Sequence, residues 1–170
     1  MTEHYKMAVV KSLSEILPPF SESVVSLMEH VKNDGDYDLK LLEKLAETTY
    51  HSSRVRETLS KELERIQLEL TVKENNVSST NNKNELINIR LEMNVIESIS
   101  KEALWKISGG VSVLIYLMAQ DKGVLSDLTK KPAFQKLLDT IENPDINSAI
   151  DNLYQGAKKL TEIIDKVTDS

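Results

Sequence analysis

The chain has 170 residues, 40% of them hydrophobic and 28% charged, with a formal net charge of −6, which is ample for one domain (1–170) with a core of its own. Its acids and bases are interspersed, and with no run of Lys or Arg to track a phosphate backbone, nucleic acid is a poor partner. The absence of cysteine excludes disulfides, thiolate metal sites and a cysteine nucleophile, and aromatics at 5% leave few rigid anchors for a deep pocket.

Five Gly and four Pro are few for this length, strand-forming clusters are scarce, and Leu, Glu, Lys, Ile and Ala dominate, so the expected fold class is all-α. Residues 1–10 lack the apolar core of a secretion signal, and cytoplasmic residence is the expectation. Within 1–33 the sequence predicts two short helices. The first, from Glu3 to Leu17, carries Val9, Val10, Leu13, Ile16 and Leu17 on one face, and Pro18-Pro19 should stop it. The second starts with Ser21 as N-cap and carries Val24, Val25, Leu27, Met28 and Val31. It runs out in Asn33-Asp34-Gly35-Asp36.

Residues 38–120 read as a long antiparallel, coiled-coil-like hairpin. From Asp38 to about Glu74, Leu42, Leu45, Leu59, Leu63, Ile66 and Leu70 recur at helical spacing, with Thr49, Ser52 and Arg56 in the same heptad register. Asn75 to Asn84 reads as a solvated turn at the tip. The returning helix starts at Glu85, with Leu86, Ile89, Met93, Ile96, Ala103 and Ile107 on one seam and Leu91, Val95 and Ile99 widening it. If it runs on to Gln120 it matches the first arm, at about 55 Å. Gly109-Gly110 would then lie opposite Thr48 and Thr49, close to Ala46 and Ser52. The alternative is that the glycine pair, costing about 1 kcal/mol each inside a helix, breaks the arm.

Residues 107 to 120 form the only long uncharged stretch, too short to span a membrane and too apolar to face water. Some other surface must cover it. Across 124–170, Pro132 opens a short helix carrying Phe134, Leu137, Leu138 and Ile141, and Asn143-Pro144 supplies a cap and a first-turn proline for the last helix. Ile146, Ala149, Ile150, Leu153, Ala157, Leu160, Ile164 and Val167 form its stripe, and Lys158, Lys159 and Lys166 sit toward its negative end. The terminal helices should complete a bundle around the hairpin.

Candidate chemistry does not survive inspection. Asp34, Asp36 and Asp38 have the alternate spacing that opens a calcium loop, but Leu39 stands where the turn glycine belongs and Leu45 where the bidentate glutamate belongs. A solvated loop whose last acid caps the long helix is the better reading. His4, His30 and His51 share no helix face with each other or with a suitable pair of carboxylates, and His30 and His51 read as surface or boundary histidines. Glu57, Glu62, Glu64 and Glu69 alternate with Lys61 and Arg65 as on a solvated face, without the Glu-x-x-His element of a bundle metal site. Trp105 reads as a core tryptophan at the edge of a helix contact, with an interfacial membrane anchor as its rival.

In the C-terminal third, Asp121-Lys122-Gly123-Val124-Leu125 followed by Asn143-Pro144-Asp145-Ile146-Asn147-Ser148-Ala149-Ile150 resembles a family of small helical proteins encoded beside formate dehydrogenases. The resemblance covers under half the chain and omits the long hairpin. It implies an accessory subunit of a redox enzyme. The leading expectation is a non-enzymatic helical interaction or scaffold protein without metal or cofactor. It would form a homodimer with Leu91, Val95, Ile99 and Trp105 as the candidate contact surface. A membrane-active protein that exposes 107–120 on a bilayer is the rival from a different class.

Overall fold

A computed structural model describes residues 2–33, 37–76, 80–128, 130–139 and 144–168. Its elements are α1 (Thr2–Asn33), α2 (Leu39–Asn76), α3 (Thr80–Asp121), α4 (Leu125–Leu128), α5 (Pro132–Asp139) and α6 (Ile146–Thr168). The fold is all-α. Its described long helices, α1, α2, α3 and α6, form a ring: α1 packs on α2, α2 on α3, α3 on α6, and α6 closes back on α1. Ser12 meets Glu62, Ser26 meets Lys44 and His30 meets Asp38, so α1 and α2 run antiparallel. Lys159 pairs with Glu102 while Gly110 lies against Leu153, so α3 and α6 do as well.

The expected break at Pro18-Pro19 does not occur, and Ser21 lies inside α1. The prolines leave the carbonyls of Ser14 and Glu15 without helical donors, at a cost of about 3 kcal/mol or more for an interior proline. Ser14, Glu15, Pro18 and Pro19 are all exposed, so water can serve those carbonyls. Leu13, Ile16, Leu17 and Phe20 are buried on the opposite face, at about 1.5–3 kcal/mol each. Burial on both sides of the prolines therefore holds one helix where local propensity called for two.

The seam of α2 matches the expected one at Leu45, Ser52, Leu59, Ile66 and Leu70 and shifts by one residue at three positions. Leu41, Leu45, Thr48, Ser52, Val55, Leu59, Ile66 and Leu70 are buried, while Leu42, Thr49 and Arg56 are exposed. The buried hydroxyls are satisfied locally: Thr48 Oγ1 donates to Lys44 O at 2.8 Å, and across the seam Ser23 Oγ donates to Phe20 O at 2.8 Å. Small side chains with satisfied hydroxyls cost little to bury and let α1 approach closely.

The helix α3 runs without interruption through Gly109-Gly110, as the length match required. The glycines, however, face α6 and not Thr48 and Thr49. A Cβ on Gly110 would stand 2.7 Å from Leu153 Cγ and 3.0 Å from the Ala149 carbonyl; one on Gly156 would stand 2.4 Å from Ile107 Cγ1 and 3.1 Å from the Ala103 carbonyl. Each helix thus contributes a glycine to the contact. Ile107, Val111, Val113, Leu114 and Ala119 are buried, Ile115, Leu117 and Met118 are partly buried, and the apolar run is core. Of the α6 stripe, Ala149, Leu153 and Leu160 are buried, joined by Gly156 and Ile163 where the expected stripe has neither.

The ends of the helices follow local chemistry. At the end of α3 the backbone turns through Gly123 at φ +71°, with Val124 N donating to Ala119 O and Gly123 N to Gln120 O. This is the paired 6→1 and 5→2 closure that a left-handed glycine permits. Asp38 caps α2 through its Oδ1 to Leu41 N at 2.9 Å. Asp145 caps α6 through Oδ1 to Ser148 N at 2.7 Å, so the cap is two residues beyond the expected Asn143, which lies outside the described residues along with Asp34 and Asp36. The tip is also shorter than expected: α2 extends to Asn76 and α3 begins at Thr80.

Two substitutions probe this packing. Gly156→Ala should destabilise the fold by about 1–3 kcal/mol in denaturant unfolding because of overpacking against Ile107, although alanine favours a helix by about 1 kcal/mol over glycine. Leu114→Ala should cost about 2–5 kcal/mol, the range for a leucine-sized cavity in a rigid core.

Candidate interaction surface and interhelical groove

The two arms of the hairpin are pinned near the tip. Arg90 on α3 grips Glu74 on α2 with Nε to Oε1 at 2.6 Å and Nη2 to Oε2 at 3.0 Å, and its Nη2 also reaches Thr71 Oγ1 at 3.1 Å. A bidentate guanidinium–carboxylate pair fixes both distance and direction. Farther along, α2 and α3 touch much less than α3 and α6 do. Between them lies an open groove of about 780 Å³. Leu59 and Met93 are buried in it, and Leu63 and Leu104 are half-buried.

Trp105 lines this groove and is 68% exposed. The expectation of a core tryptophan is therefore overturned. Its neighbours Leu104 and Ala103 take the inward positions, and the separation of α2 from α3 leaves the indole uncovered. The other candidate residues divide. Leu91 (57%) and Val95 (44%) are exposed, together with Ile87 (50%) one turn before them. Spaced four apart, these three form a single stripe along α3. Ile99 turns inward and packs half-buried on the core. Trp105 lies beyond the stripe, separated from it by Ser98, Lys101 and Glu102. On α2, Leu68 and Val72 are also exposed, a second pair at helical spacing that the sequence reading left out.

His30 was expected at a surface or boundary and is buried in the last turn of α1, with Nε2 3.3 Å from Asp38 Oδ1. The pairing joins the end of α1 to the start of α2. The Asp38 carboxyl is held below its ordinary range, chiefly by the Leu41 backbone N–H and also by His30. Only the folded chain could show this, because the two residues lie eight positions apart in sequence and belong to different helices' ends. His51 stays at a boundary, half-buried, with its ring edge-on to Tyr50 at 5.4 Å between centroids.

Among the described residues, no group of three or more His, Asp or Glu converges as a metal site. The region 83–121 of α3 has the length and composition of a membrane span, and 44% of its most apolar window is buried within the fold. A core helix of a bundle has these same properties. The fold and its surface define an antiparallel four-helix bundle with two shorter helices between α3 and α6. No family model matches the chain, and comparison with curated proteins and with solved structures found no match.

The Asp38 contact has a definite pH signature. A carboxyl whose folded pKa is depressed contributes stability above its unfolded value, and that contribution is lost as pH falls through the folded value. The melting-temperature gap between wild type and Asp38→Ala should thus be full above about pH 4 and close progressively in more acidic buffer. A gap that widens as the pH falls below about 4 would contradict the assignment.

Proposed function

We propose that this chain is a non-enzymatic helical interaction protein that associates with a second copy of itself through α3. The observation that carries this reading is the exposed stripe Ile87, Leu91 and Val95. Aliphatic side chains aligned on one helix face form a patch that is favourably covered by another apolar surface. The corresponding stripe of an antiparallel second copy has the same shape and spacing, as a two-fold contact requires. Exposed polar residues beside the stripe, Asn88 and Ser98 among them, would form the polar rim.

A second reading is supported by the span-like length and composition of α3: the protein associates with membranes after α6 separates from α3. Exposing Leu114 and its neighbours costs the burial that holds the bundle together, so this state would need a bilayer to cover the freed face. Flotation of the protein with liposomes at neutral or acidic pH would support it.

Association through α3 makes a direct prediction. In sedimentation velocity the wild type should form a dimer at high micromolar concentration, and Leu91→Asp should weaken dimerisation by at least about tenfold while leaving the melting temperature of the monomer nearly unchanged. A wild type that stays monomeric would contradict it.

A further inference from the structure

The groove between α2 and α3 has a chemistry that self-association does not use. Its floor is Leu59, Leu63, Met93 and Leu104, and its volume of about 780 Å³ falls in the range of small-molecule sites, about 300–1,000 Å³. The antiparallel pairing set by Arg90 and Glu74 puts Arg56 of α2 and Trp105 of α3 at the same end of the groove, away from the tip. Arg56 makes no hydrogen bond or ion pair among the described residues, whereas Lys101 on the rim is engaged by Glu97 at 3.0 Å. An apolar channel with a free guanidinium and an indole at one end is complementary to a molecule with an anionic head and an aliphatic tail. Farther along α2, Glu64 disfavours an anion and so sets the direction in which such a molecule would lie. From Arg56 to Gln67 the lining follows α2 for about 16 Å, which suits an extended chain of roughly twelve carbons.

We propose that this groove binds a single-chain anionic amphiphile, a free fatty carboxylate, with its head on Arg56 and its chain along the Leu59–Met93 floor. This goes beyond the association reading and uses a different surface, so either can fail without the other. Trp105 is the only tryptophan in the chain, so the emission follows the environment at this end of the groove.

The test is a titration of the full chain with laurate below its micelle concentration, followed by tryptophan fluorescence and far-ultraviolet circular dichroism. A blue shift that saturates at one laurate per chain with helicity unchanged is expected. Octanoate should bind at least about tenfold more weakly, since each methylene buried contributes about a fourfold factor. Arg56→Gln, an exposed substitution, should weaken laurate about tenfold and leave lauryl alcohol unaffected, because only the charged head uses the guanidinium. The proposal is overturned by the absence of a saturable shift, by equal laurate affinity in Arg56→Gln, by loss of helix during the titration, or by a response to anionic phospholipid vesicles with none to free laurate.

Discussion

Contact between α3 and α6 through Gly110 and Gly156 determines most of what this molecule can be. The two glycines let each helix seat Leu153 and Ile107 against the other's backbone, where a single added methyl group would stand within 3.0 Å of a neighbour. That close approach covers the apolar run 107–120, which is the least water-tolerant part of the chain. With α6 engaged the run is core. Without it, α3 would present an uncharged face too apolar for solvent and with the composition of a membrane span. The choice between a bundle and a membrane-seeking helix therefore rests on one interhelical seam.

Once α3 is committed to α6, its remaining faces are left for α2 and for solvent. The Arg90–Glu74 grip fixes the tip, and α1 lies along the opposite side of α2 through a seam of leucines and small hydroxyl residues. Between these constraints α2 and α3 part enough to leave an open groove, and the outer stripe of α3 stays bare. Both candidate binding surfaces are thus consequences of how the four long helices share their apolar faces.

Much of the fold was legible in the sequence because burial follows helical period. Leu86, Ile89, Met93, Ile96, Ala103 and Ile107 could be read as one seam, and they are buried together. The sequence misleads where local rules compete with tertiary contacts. Pro18-Pro19 signals a helix end, yet the buried residues on both sides keep α1 intact. In α2 the polar Thr48 hides the true register, since its hydroxyl is satisfied by the Lys44 carbonyl, a bond that periodicity does not reveal. The site was less legible still. Leu91 and Val95 were found from the excess width of the α3 stripe, but the inward turn of Ile99, the exposure of Trp105 and the burial of His30 against Asp38 depend on which helix lies beside which. A glycine pair in a helix shows that something approaches closely, without saying what.

Native-state hydrogen exchange, resolved by residue, tests the central claim most directly. If the α3–α6 seam organises the molecule, amides of 107–119 and 149–163 should be the most protected in the chain and should exchange together, with the free energy of global unfolding. Amides of 107–119 that exchange in a local opening, independently of α6 and well below the global stability, would contradict the account.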